Sequence, residues 1–226
     1  MKSMGIGLAL AVLASGAHAA DNTLTRAEKE AGWSLLFDGK TTSGWRAFKE
    51  AEIGPGWKVE KGILLPDPKV AKDIVTKADY ANFELTFDWR ISKGGNSGVM
   101  FHVIPVGNAP YESGPEYQIL DNSRGEPPKE QAGGLFALVA PATDMTRPAG
   151  QFNQARMIVD HGKVQHWLNG REVARYEIGS PEFKALVAAS KFQRWPIFAT
   201  AATGGIALQN HGDDVAFRNI KIQVLK

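Results

Sequence analysis

From Phe83 to Ile91 every second residue is apolar: Phe83, Leu85, Phe87, Trp89 and Ile91 alternate with Glu84, Thr86, Asp88 and Arg90. Successive side chains leave a pleated strand on opposite sides, so a period of two predicts a strand with one buried and one polar face. The period recurs after a glycine-rich stretch, where Val99, Phe101 and Val103 alternate with Met100 and His102. That register sets His102 on the polar side. In Glu116-Tyr117-Gln118-Ile119 it puts Glu116 and Gln118 on one face and Tyr117 and Ile119 on the other.

Further strands are predicted at 33–37, in a hairpin over 57–64 turning at Lys61-Gly62, and, after a long breaker-rich connection that leads to the stretch 135–139, at 156–159, 163–168 and 172–176. Asp160-His161-Gly162 and Asn169-Gly170 divide the last three into hairpins. Near the end, 205–209 and 215–224 read as strands, and the change of apolar parity between Phe217 and Ile220 predicts a β-bulge near Arg218-Asn219. The glycine-rich stretch 93–98 reads as a hairpin turn, since it lacks the Lys-Ser/Thr of a phosphate loop. Helix is scarce. Ser180 before Pro181 starts one short helix, and Thr25 with Glu28 makes a capping box for a single turn. The predicted fold is all-β, a two-sheet antiparallel sandwich with one short helix and a groove on a curved outer face.

Residues 1–20 stand apart from this pattern. A positive start at Lys2, an apolar run from Ile6 to Leu13 and Ala17-His18-Ala19 make a signal peptide, cleaved after Ala19 or Ala20. Residues 21–226 are then a single domain of an exported protein, periplasmic or secreted. With no cysteine in the chain, neither disulfides nor thiolate metal sites enter. A net charge of +2 without a basic cluster argues against nucleic acid, and no later apolar run is long enough to span a membrane.

The candidate chemistry gathers on polar-register positions. Glu116 and Asp121 are two carboxyls on or just past one strand, an arrangement that can present an acid and a base to a sugar. His102 and His211 are candidate proton partners, Arg90 and Gln118 candidate positioners, and Trp167 and Trp195 candidate stacking platforms. His166 shares its register with Val164 and Leu168 and reads as a core histidine. Asp213 and Asp214 beside His211 are candidate Ca²⁺ ligands, though without EF-hand or His-Glu-x-x-His spacing no metal is assigned.

Five segments in order carry a resemblance: Leu36-Phe37-Asp38-Gly39 with Gly44-Trp45; Gly95-Asn96-Ser97-Gly98-Val99; Glu116 to Asp121; His166 to Gly170; and 207–213 followed by Phe217-Arg218-Asn219-Ile220. Together they resemble the 3-keto-disaccharide hydrolase domain family, whose fold is similar to concanavalin A-like lectins and glucanases. This chain has Asn210 and Ala216 where the familiar pattern has Asp and Trp. The resemblance implies a jelly-roll sandwich, a groove on its concave face, and an oligosaccharide or glycoside substrate oxidised at carbon 3 by a separate sugar 3-dehydrogenase. Asn96 and Gln209, in the matching segments, join the substrate-binding candidates. The order Glu-x-Gln-x-x-Asp also resembles the Glu-x-Asp-x-x-Glu strand of retaining glucanases, with Gln118 in place of the central carboxylate. The expected chemistry is proton abstraction at C2, elimination and hydration. Two alternatives stay open: a non-catalytic carbohydrate-binding module, and a retaining glucanase acting on unoxidised glucan.

Overall fold

The computed structural model describes residues 21–226, so the expected signal peptide lies outside the described residues. In chain order the strands are β1 (Trp33–Leu35), β2 (Trp45–Ala47), β3 (Trp57–Glu60), β4 (Ile63–Pro66), β5 (Ile74–Thr76) and β6 (Phe83–Ile91). They continue as β7 (Asn96–Val103), β8 (Glu116–Leu120), β9 (Asn153–Asp160), β10 (Lys163–Leu168), β11 (Arg171–Glu177), β12 (Gly205–Leu208) and β13 (Val215–Val224). Helix α1 (Arg26–Glu30) has the predicted Thr25–Glu28 capping box, and α2 (Pro181–Ala188) is capped by Ser180.

These strands form two antiparallel sheets. One has eight strands in the order β11-β10-β9-β6-β13-β4-β3, with β1 also on β13; the other has five, β2-β5-β12-β7-β8. The alternation seen in the sequence decides what meets between them. Phe83, Leu85, Phe87 and Trp89 of β6 face Val99, Phe101, Tyr117 and Ile119 in one closed apolar core. Each hairpin turn pairs a residue in the left-handed region with a following glycine: Lys61-Gly62, His161-Gly162 and Asn169-Gly170. Two consecutive positive φ angles give the turn a twist that matches its flanking strands. The bulge in β13 is present, with Asn219 at φ 54 where the register to β6 shifts.

Two local expectations are corrected. The 93–98 stretch is no hairpin, because β6 and β7 lie in different sheets and the glycines carry the chain across the sandwich. After the long connection, residues 135–139 form a closed loop, in which Leu135 and Val139 bond each other and Ala137 takes φ 60. The second correction concerns His102. Gly205 pairs with Val103 and Ala207 with Met100, so β7 carries one extra residue at Phe101-His102 and bulges there. His102 at φ 51 turns out of the polar register, its ring edge-on to Phe83 and Phe101, and its Nε2 donates to the Ala81 carbonyl at 2.8 Å. Burial lowers its pKa.

His166 is the core histidine its register predicts. It is fully buried, with Nδ1 3.0 Å from the Gly133 carbonyl and Nε2 3.0 Å from the Tyr176 hydroxyl. Burial pushes its pKa down to about 4, so the folded protein holds it neutral. Because the unfolded chain takes up this proton first, stability is lost as pH falls from roughly 6.5 to 4. His166→Leu leaves two buried polar partners unmatched and is expected to cost about 1–3 kcal/mol at pH 7. In urea melts the gap to wild type should narrow at pH 5, where only wild type retains the acid-sensitive ring; a gap that widens would show that this imidazole is not held neutral.

Candidate active site

The five-stranded sheet turns its second face away from the core. On β8, Tyr117 and Ile119 enter the core, which leaves Glu116 and Gln118 outward as the alternation predicts. That face is not open to water. Val75, Met100, Val103 and Ala207 form an apolar patch on it, covered by Phe48 and Tyr111. The outer edge of β8 is closed by backbone bonds between Gln118 and both Gly133 and Gly134. Above lies a second apolar cluster of Leu135, Leu138, Phe183, Phe192 and Phe198, built from the 135–139 loop, α2 and the turn Lys191–Arg194 that follows it.

Between face and cover is a cleft of about 220 Å³. Its floor holds Asn96, Glu116, Gln118 and Gln209; Tyr111, Phe136 and Phe192 wall it, and Lys191 and His211 reach its edge. The floor residues come from three strands or their ends because the sheet brings them into one row. Gly98 pairs with Gln118, and the Gln209 N–H donates to the Gly98 carbonyl. Gly98 has no side chain, and the Glu116 carboxyl lies over it. A Cβ built there would fall inside the van der Waals radius of Glu116 Oε1 and 2.7 Å from its Cδ.

Glu116 is 4% exposed and its carboxyl has no hydrogen-bond partner among the described residues. Burial pushes its pKa up to about 8; the Lys191 ammonium pulls it down somewhat and the Asp73 carboxylate adds to the rise. At neutral pH it is therefore mainly a neutral acid. Around it, Asn96 Oδ1, Gln118 Oε1 and Gln209 Oε1 are all buried and have no partner among the described residues. The Gln118 amide nitrogen donates to the Glu130 carbonyl at 3.1 Å, which fixes the side chain and leaves its oxygen for the cleft. Buried polar atoms are nearly always paired, so three orphaned acceptors in one cleft define a place for a ligand rich in hydroxyl donors.

The structure thus brings Glu116, Gln118, Gln209, Asn96 and His211 together. It separates the others. His102 is in the core. Asp121 caps the turn Asn122–Arg124 and accepts from the Gly94 N–H and the Ser123 hydroxyl. Arg90 lies on the outer face of the eight-stranded sheet, 5.0 Å over Phe152, beside a different cleft that Asp214 also lines. Trp167 is on that outer face too, under Arg156. Trp195 packs against Tyr111 and stands behind the cleft wall. Asp213 Oδ2 accepts from the Asn96 N–H at 3.0 Å and lies 4.0 Å from His211 Nδ1, which ties the His211 loop to the floor. Among the described residues no three His, Cys, Asp or Glu side chains are grouped for a metal, and Asp213 and Asp214 serve different places, the Asn96 N–H and the cleft beside Arg90.

The sequence reasoning missed Lys191, Tyr111, Phe136 and Phe192, all from irregular segments with no periodicity to announce them. It also missed Asp73. Ala207 and Leu208 pair with Val75 and Ile74, so the next step aligns Gln209 with Asp73, on the same outward face. Asp73 Oδ1 accepts from the Asn210 N–H at 2.9 Å, and burial pushes its pKa up to about 6, against the pull of that bond.

An antiparallel sandwich whose outward sheet face holds a buried acid among hydroxyl acceptors is a carbohydrate-active protein, and a hydrolase of the glycosidase type. A family model described as the 3-keto-alpha-glucoside-1,2-lyase-like domain matches residues 32–223. The chain belongs to that family. It is 32% identical over 228 residues to a 3-keto-disaccharide hydrolase of Bacteroides thetaiotaomicron, covering 86% of this chain and 79% of the relative. A crystal structure from Parabacteroides distasonis, named provisionally as a glycosyl hydrolase, superposes with a TM-score of 0.86 at 35% identity, over 92% of this chain and 100% of that one. A second protein of that organism, at 24% identity and a TM-score of 0.68, shares the fold over 85% of this chain and 99% of its own.

Proposed function

We propose that the protein cleaves 3-keto-glycosides by elimination and hydration. One observation carries this: Glu116 is the single carboxyl lining a cleft that also holds Lys191, His211 and three unpartnered amide oxygens. A retaining glycosidase needs two carboxyls about 5–5.5 Å apart; here the nearest outward carboxyl in the row is Asp73, aligned two strands from Gly98, which is roughly 10 Å. A ketone at carbon 3 makes a second carboxyl unnecessary, because it acidifies the hydrogen on carbon 2.

His211 takes the C2 proton, and the electron pair moves onto the carbonyl oxygen as an enolate, whose charge the Lys191 ammonium offsets. The enolate then expels the aglycone from C1, and neutral Glu116 gives its proton to the departing oxygen. Water adds to C1 of the resulting enone, ionised Glu116 takes its proton, and His211 returns the first proton to C2. Asn96, Gln118 and Gln209 accept from the ring hydroxyls throughout. A carbohydrate-binding module needs no buried acid raised in this way.

The test uses 3-keto-trehalose, its C2-deuterated form and unoxidised trehalose. Glucose release only from the oxidised sugar, slowed several-fold by deuterium at C2, is expected. Cleavage of trehalose itself, or no isotope effect with slow chemistry established by single turnover, would sink the mechanism. Such a substrate must be made by a separate sugar 3-dehydrogenase. The basic and apolar start of the chain supports a place outside the cytoplasm; the secreted or periplasmic protein is expected to begin at Ala20 or Asp21, and a mature protein that retains Met1 would refute export.

A further inference from the structure

Beside the cleft over Glu116 lies a second one of about 410 Å³, lined by Phe48, Lys49, Asp73, Asn108, Pro110 and Asn210 among others. Consecutive residues wall the two: Pro110 lines one and Tyr111 the other, and Asn210 lies between Gln209 and His211. Both open on the same sheet face. The row Asp73, Gln209, Gly98, Gln118 crosses β5, β12, β7 and β8 at the usual strand spacing, with the Glu116 carboxyl filling the space over Gly98. Asp73 thus stands roughly 10 Å along the row from Gly98.

We infer that Asp73 and the cleft around it form the subsite for the second sugar ring, the leaving group, of a two-ring substrate. This rests on the glycoside-cleaving role proposed above and assigns that role a substrate length. If Glu116 protonates the bridging oxygen, a ring on one side enters the cleft with Lys191 and the ring on the other side runs along the row to Asp73. The chemistry there suits a neutral pyranose. Asp73 uses one carboxylate oxygen for the Asn210 N–H, and among the described residues its Oδ2 has no donor, so it is an acceptor for a sugar hydroxyl. The charges lining this cleft balance: Lys72 pairs with Glu50, and Lys49, which donates to the Gly107 carbonyl, is matched by the Asp73 carboxylate, which leaves no net positive charge to call for an anionic ligand. Phe48 packs on the Val75–Ala207 patch and lines this cleft, offering an apolar face to a ring's C–H surface.

The experiment measures binding without turnover, by calorimetry on the Glu116→Gln protein with 3-keto-trehalose and methyl 3-keto-α-glucoside. The two-ring sugar is expected to bind at least tenfold more tightly, and Asp73→Asn added to that protein to shrink the advantage below threefold. Asn keeps an oxygen for the Asn210 N–H, and a melting temperature no lower than that of the Glu116→Gln protein confirms the fold. Equal affinities for the two sugars, or an advantage that survives Asp73→Asn, would overturn the subsite. Because no bond is broken, these outcomes are independent of the elimination mechanism, which stands or falls on glucose release and the C2 isotope effect in wild type.

Discussion

Glu116→Gln is expected to abolish cleavage of a 3-keto-disaccharide and, at the same time, to make the protein harder to unfold. The loss of a positioned acid lowers turnover by about 10²–10⁴-fold. The gain in stability follows from the raised pKa. Between roughly pH 4.5 and 8 the folded protein keeps a proton on Glu116 that the unfolded chain releases, so wild type loses stability as pH rises through that window. Glutamine has no such dependence. At pH 7 the difference reaches up to about 3 kcal/mol in favour of the variant, and at 2–4 °C per kcal/mol for a chain of this size it should appear as a clear rise in melting temperature. The advantage should vanish near pH 4.5 and be full above pH 8. A variant that melts below wild type at pH 8 would show that the buried carboxyl is not strained, and one that keeps a tenth of wild-type turnover would remove Glu116 from the acid role.

The second large effect is expected from Gly98→Ala. The backbone at Gly98 is not in the left-handed region, so alanine brings no conformational strain. Its methyl group instead takes the volume of the Glu116 carboxyl. Overpacking of this kind costs about 1–3 kcal/mol in stability, and turnover should fall by at least tenfold because displacements near 1 Å in catalytic groups have effects of that order or more. The double variant Gly98→Ala, Glu116→Asp shortens the acid by one methylene and should recover part of the lost stability. If the two changes are simply additive, Gly98 does not act through Glu116.

The parts of the fold legible in the sequence are those where one physical signal dominates. The alternation in β6 and β8 gave their faces, and paired turn residues gave three hairpins. The same alternation failed at His102, since a bulge reverses parity without leaving a mark in the residue types on either side. At 93–98 the glycines announced a turn but could not say whether it joined neighbours in one sheet or crossed between two. In the site, Glu116, Gln118, Gln209 and Asn96 were legible because they sit on strands or strand ends in matching segments. Lys191 was not, since it belongs to a turn positioned by the packing of Phe192 against the 135–139 loop. Asp73 escaped because β5 has only three residues, too few to show a period.

The row of residues on the outward sheet face has a consequence for how the chain acquires activity. β12 lies between β5 and β7, although it follows β7 by about a hundred residues, and the contact of Asp73 with Asn210 spans 137. Until β12 inserts, the five-stranded sheet exists only as two separate pairs, β2 with β5 and β7 with β8. Contacts this distant in sequence form slowly. No nascent chain that stops short of Gln209 can hold both halves of the floor in register, so recovery of turnover after dilution from denaturant times the closing of this sheet, while β7 and β8 can pair long before.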